Sequence, residues 1–152
     1  MYSSALMAFL HHAAAFTLVA ALAVELVLFK PPLRLAQARR VLVADAVYGG
    51  SAAVLLAVGL LRVVYFEKGP AYYWHDLFFL TKFAAFIAAA LISIYPTVVY
   101  RSWRKDLKAG AAPEVPTARV RTVRMCLMLQ LTAIVVILAC AALMARGFGY
   151  RP

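Results

Sequence analysis

Two adjacent histidines, His11 and His12, stand in AFLHHAAAF (residues 8–16), a stretch otherwise apolar. Imidazole ligates metals and exchanges protons near neutral pH. Within an apolar segment it is costly enough to need a reason. Other ionisable side chains occupy similar surroundings: Glu25 in ALAVELVLF, Asp45 in VLVADAVYG, Arg62 in GLLRVVYF and Lys82 in FFLTKFAAF, with His75 in YYWHD at the edge of one such segment.

The ligand chemistry these types suit best is that of haem. Iron takes a histidine nitrogen, the macrocycle fills an apolar slot, and the propionates call for cations. His11 or His12 would be the axial ligand, Lys82 and Arg62 the cations, and Phe9, Phe16, Phe78, Phe79 and Phe86 the walls. Bis-histidine ligation needs a second ligand from another helix, and His75 alone is available. The histidine count therefore allows one haem at most by that route. Single-histidine ligation with Met7 or an open position opposite is the other arrangement. Tetrahedral zinc needs three or four ligands, and the histidines and acids lie at different depths. There is no phosphate-cradling glycine loop, nucleophile elbow or His-Glu-x-x-His motif.

What positions these residues follows from composition. The chain has 152 residues, of which 66% are hydrophobic and only 14% charged, with a mean hydropathy of +0.86. A soluble domain of this size would expose too much apolar surface, so the class is integral membrane protein. Four apolar runs reach the ~20 residues that cross ~30 Å of hydrocarbon. Backbone amides in lipid must be satisfied within the segment, which makes the runs helices. The predicted fold is an all-α, four-helix transmembrane bundle forming a single domain, with helices over about 5–29, 41–66, 77–100 and 122–146. The first run lacks preceding basic residues, is too long for a signal peptide and contains Glu25, so it is expected to be retained. The loop KAGAAPEVPTA (108–118) has the Pro and Gly content of a mobile connector.

The net charge of +10 is concentrated in two loops, with Lys30, Arg34, Arg39 and Arg40 in one and seven Lys or Arg between Arg101 and Arg124 in the other. The positive-inside rule then makes both basic loops cytoplasmic and predicts both termini outside (N-out/C-out). The clusters read as topology signals and contacts for anionic headgroups, not as a nucleic-acid surface. Cys126 and Cys140, fourteen residues apart on one helix, lie ~21 Å from each other and cannot pair. They are expected to be buried small hydrophobes.

This topology sorts the polar residues by depth into an outer layer of His11, His12, Arg62 and Lys82, with His75 at the rim, and an inner layer of Glu25 and Asp45. At ~100° per residue His11 shares the face of Glu25 and His12 points away; His75 and Lys82 share a stripe on the third helix; Asp45 shares a small-residue seam with Gly49, Ala52 and Gly59. Plain structural roles are open to most of them. Glu25 and Asp45 can pair with Lys30, Arg39 or Arg40, Arg62 can snorkel to the headgroups, and Tyr72, Tyr73 and Trp74 form an interfacial belt. Gln130 can bond between helices, and Ser93 can satisfy the carbonyl that Pro96 frees. Lys82 has no acid at its own depth in this reading, so its ammonium is expected to await an anionic guest.

The string FEKGPAYYWHDLFFLTKFAAFIAAALISIYPT, with HHAAAF upstream and ARR opening the second helix, closely resembles the bacterial inner-membrane family catalogued as domain of unknown function 2214. That resemblance spans nearly the whole chain and implies the fold, with no activity to transfer. A more distant architectural likeness is to the HemJ-type protoporphyrinogen oxidases, small four-helix membrane proteins associated with haem b. His11 or His12, Arg39 and Arg40, and Trp74, His75 and Lys82 occupy comparable places. The third-helix spacing differs, because Trp74 and His75 are adjacent here and Lys82 follows His75 by seven positions.

The expected function is a haem- or porphyrin-binding redox protein of the inner membrane, acting in porphyrinogen oxidation or in electron transfer with quinone. Two alternatives come from other classes. One is a non-catalytic subunit or assembly factor whose polar residues meet across an oligomer interface, in a homo-oligomer or a membrane complex. The other is a small proton-coupled or ion-conducting protein with Lys82 and Glu25 or Asp45 as relay groups.

Overall fold

The computed structural model describes residues 2–150. It contains α1 (Tyr2–Leu28), α2 (Leu35–Leu61), a single π-helical turn (Arg62–Phe66), α3 (Pro70–Trp74), α4 (Leu77–Ser102), α5 (Arg104–Lys108) and α6 (Thr117–Ala145). Four of these are long and apolar enough to cross a membrane: α1, α2 with its π turn, α4 and α6. Among the described residues there is no strand, only an isolated antiparallel bridge between Asp76 and Tyr150.

Helix ends follow local chemistry. α1 stops ahead of Pro31 and Pro32, since proline and the residue before it disfavour helix. α2 begins six residues before its apolar run, and its N-terminus is closed by the Arg34 amide, which donates to Gln37 Oε1 at 2.9 Å. α4 is capped by Asp76, whose Oδ1 accepts from the amides of Phe78 (2.9 Å) and Phe79 (3.1 Å). That carboxylate satisfies two of the amides a helix start leaves unpaired. Ser93 does not serve Pro96 as expected. Its hydroxyl donates to Ala90 O at 2.7 Å, whereas the carbonyl freed by Pro96 belongs to Ile92.

Packing divides the bundle into two antiparallel hairpins, α1 along α2 and α4 along α6, joined more loosely through α2–α4 and α1–α6. The connecting core is bulky: Leu22, Phe29, Tyr48, Tyr100, Trp103 and Leu127 are all buried. Phe29 stacks on Trp103 at 6.3 Å, and Tyr100 tilts against both. In lipid such contacts act by close packing, not by escape from water. The outer surface is strongly apolar, with Val43, Leu91 and Leu138 each more than 60% exposed. That surface is what a bilayer solvates.

The expected small-residue seam is only half formed. Gly59 lies against α1, but Gly49 is exposed, and a Cβ on it would meet nothing within 4 Å. Both termini lie at one end of the bundle. The Leu77 amide bonds Gly149 O at 3.0 Å, holding the C-terminal segment over the start of α4.

Candidate functional site

The polar residues form two groups at the two ends of the seam between hairpins. In the group nearer the termini, His11 turns inward from α1, half-buried, and His12 is exposed. The two rings meet edge to face with centroids 6.0 Å apart. The His11 ring rests on Gly59 of α2: a Cβ there would come within 3.3 Å of His11 Cε1. His11 Nδ1 is buried with no hydrogen-bond partner among the described residues. This is the notable feature of the layer, because buried polar atoms are nearly always paired.

The other two imidazoles are tied to their own helices. His12 Nδ1 lies 2.7 Å from Ala8 O, and His75 Nδ1 lies 2.7 Å from Ala71 O. A carbonyl only accepts, so in each ring Nδ1 carries the proton and the neutral form keeps its lone pair on Nε2. His75 does not share a helix with Lys82. It ends α3, and the extended backbone of Asp76 separates it from α4, so the predicted stripe is broken. Three-ligand metal chemistry is likewise unsupported: among the described residues, no three of His, Cys, Asp and Glu gather as a set that could hold a metal ion.

Arg62 does not snorkel free. It pairs with Glu67 at 2.5 Å, the two side chains 22% and 32% exposed, across the π turn. Nor is Lys82 without acids at its level, because Asp76 and Glu67 both act on its ammonium along with Arg62. Neither lies within ion-pair distance, and the nearest aromatic contact is the Phe79 ring at 5.5 Å. Sequence reasoning missed these acids because both sit in the turn-rich stretch between spans. Beside them Tyr73 of α3 is held above its ordinary phenol value, by burial first and the Glu67 carboxylate second.

The second group sits toward the basic loops. Glu25 is 2% exposed and Asp45 7%. Thr97 donates its hydroxyl to Asp45 Oδ1 at 2.5 Å. Tyr100, fully buried, brings its hydroxyl beside the Glu25 carboxyl without closing a hydrogen bond. Tyr48, also buried, is a further hydroxyl next to Glu25. The expected ion pairs with Lys30, Arg39 and Arg40 are not formed: Arg62–Glu67 is the one ion pair among the described residues. The acids turn into the seam, while those cations lie on the exposed faces, and Arg39 bonds Leu107 O at 3.1 Å instead. Arg101 is the cation that faces Asp45.

Sequence reasoning did not anticipate Tyr48, Thr97 or Tyr100, since uncharged hydroxyls raise no alarm in an apolar run. The signal available was the i, i+3 spacing of Thr97 and Tyr100 near the basic end of their helix. Gln130 of α6 is 2% exposed, and its Nε2 bonds nothing among the described residues, contrary to its expected role as a link between helices. Cys126 and Cys140 are free and buried.

Comparison with known proteins identifies a family. The model of a family described as "Predicted membrane protein (DUF2214)" covers residues 3–149. The chain belongs to that family. No curated protein and no solved structure matches it. As a DUF2214 protein it is a multi-pass membrane protein by family and by its four membrane-length helices.

Proposed function

We propose that this DUF2214 protein is a redox protein that holds one haem b or porphyrin in the half of the bundle nearer the termini. His11 is the ligand, and Lys82 and Arg62 balance the propionates. The observation that carries this reading is the unpartnered, buried nitrogen of His11, set where Arg62 and Lys82 both act on the ring. The remaining residues fit the group in type. Lys82 has no ion pair within 4 Å among the described residues, Arg62 retains donors beyond its bond to Glu67, and Phe79 and Phe83 stack at 6.1 Å as a ring wall. His12, with its lone pair on Nε2, is the substitute ligand. A bound porphyrin supplies the electron chemistry, in porphyrinogen oxidation or in exchange with quinone; the side chains of this chain bind and orient it. Placement of the basic loops favours both termini on the outer side of a bacterial inner membrane.

Detergent-purified protein, supplemented with haem, is expected to show a Soret band that His11→Ala removes. No band after supplementation, or a band indifferent to His11, Lys82 and Arg62 substitutions alike, overturns the reading.

One observation favours a second reading, proton transfer. Among the described residues Glu25 and Asp45 are buried without an ion pair, beside the hydroxyls of Thr97 and Tyr100. Carboxyls inside a membrane typically mark proton relays. In proteoliposomes carrying a pH dye, Glu25→Gln is then expected to cut proton flux at least about tenfold, an effect typical of losing an acid–base group. Flux equal to that of empty vesicles ends this alternative.

A further inference from the structure

An apolar groove of about 510 Å³ runs between α1 and α2 on the outside of the bundle. Its walls are Thr17, Ala20 and Val24 of α1 and Val43, Ala44 and Val47 of α2, closed at the basic end by Arg39 and Arg40. From Thr17 to Leu28 it follows eleven residue steps of α1, which is about 16 Å at the helical rise. That is close to half of the ~30 Å hydrocarbon thickness, or one leaflet. Small residues make the groove: Ala20, Ala21 and Ala44 leave a channel that larger side chains would fill.

We infer that this groove binds one anionic phospholipid, with an acyl chain along the alanines and the phosphate between the Arg39 and Arg40 guanidiniums. Both arginines line the groove at its basic end, and long basic side chains carry their charge to headgroup level at a membrane boundary. Arg39 uses part of its fork on Leu107 O and keeps further donors; Arg40 makes no hydrogen bond or ion pair within the described protein. Guanidinium suits phosphate through paired N–H donors.

Charge argues against a second copy in the groove. A two-fold contact would place the same patch on itself and bring four guanidiniums together. A phospholipid with net negative charge removes that repulsion and matches the groove in length and polarity. The site is separate from the haem and proton readings, since neither His11 nor Glu25 lines it.

Native mass spectrometry of the full chain, with phosphatidylglycerol or phosphatidylcholine added in detergent, tests the assignment. One phosphatidylglycerol per chain is expected to survive conditions that strip phosphatidylcholine. Joint substitution of Arg39→Gln and Arg40→Gln is expected to lower that preference by about thirtyfold, in line with the attraction of two basic groups to an anionic surface. Ala20→Phe, at an exposed position, fills the groove and is expected to release either lipid while leaving the helical circular dichroism intact. Equal retention of the two lipids overturns the inference, as does phosphatidylglycerol retention untouched by Ala20→Phe. Strong dimer signals that Ala20→Phe abolishes would assign the groove to a second copy and likewise overturn it.

Discussion

Asp76→Ala is expected to lower the stability of the bundle by about 2–3 kcal/mol, the sum of a lost N-cap and buried amides left unpaired. Asp76 is 2% exposed, and its Oδ1 accepts both the Phe78 and Phe79 amides. Alanine removes the acceptor where water cannot replace it. Damage also spreads to the C-terminus. Asp76 bridges Tyr150, the adjacent Leu77 amide bonds Gly149 O, and a Cβ on Gly149 would lie 2.9 Å from Asp76 Oδ1 and 2.5 Å from Phe78 Cδ2. Gly149 has φ +100°, so this tight lap of chain is open only to glycine. Asp76→Asn keeps the acceptor oxygen and is expected to cost less than about 1 kcal/mol, since asparagine caps helices nearly as well as aspartate. Thermal unfolding in detergent, followed by circular dichroism, separates the two variants. Equal losses would show that the charge, not the cap, carries the effect.

Gly59→Leu is expected to drive the His11 imidazole from its seat. Even a lone Cβ at position 59 would approach the ring to 3.3 Å, and a leucine places further carbons where the ring now lies. Overpacking of this kind costs about 1–3 kcal/mol. Gly59→Ala needs the ring to give by only a few tenths of an ångström and is expected to be much milder. A double-mutant cycle with His11→Ala checks the contact itself. Removing the ring first leaves room for the leucine, so the double variant should recover most of the stability lost by Gly59→Leu. If Gly59→Leu costs the same with and without His11, the two residues are not packed together. In haem-supplemented protein Gly59→Leu should also reduce Soret absorbance sharply while His12 remains in place. An unchanged band would move the ligand from His11 to His12.

These two sites differ in how visible they were beforehand. Nothing marked Asp76 as structural, because YYWHDL reads as a surface belt until the chain is seen to break after Trp74 and restart at Leu77. His11 and His12 were conspicuous, and helical phase alone separates an inward ring from an outward one. Glu25 and Asp45 were legible as buried acids, but their partners were not. The nearest cations in sequence were the natural guess, whereas the bundle supplied hydroxyls from a helix more than fifty residues away from Asp45. Phase along one helix gives direction; it cannot say which neighbour waits in that direction.

Hydropathy and length alone determined that this chain crosses a membrane four times as helices, because lipid leaves the backbone no other way to satisfy its amides. Charge placement marked the basic end in the same way. Tertiary structure alone decided that Arg62 turns to Glu67, that Asp45 takes Thr97, and that His11 nests on Gly59 with one nitrogen unpaired. The reason is physical: partition into lipid depends on each segment's own composition, whereas polar pairing inside the bundle depends on which helices pack side by side and at what height, and this comes from interlocking shapes that no single segment contains.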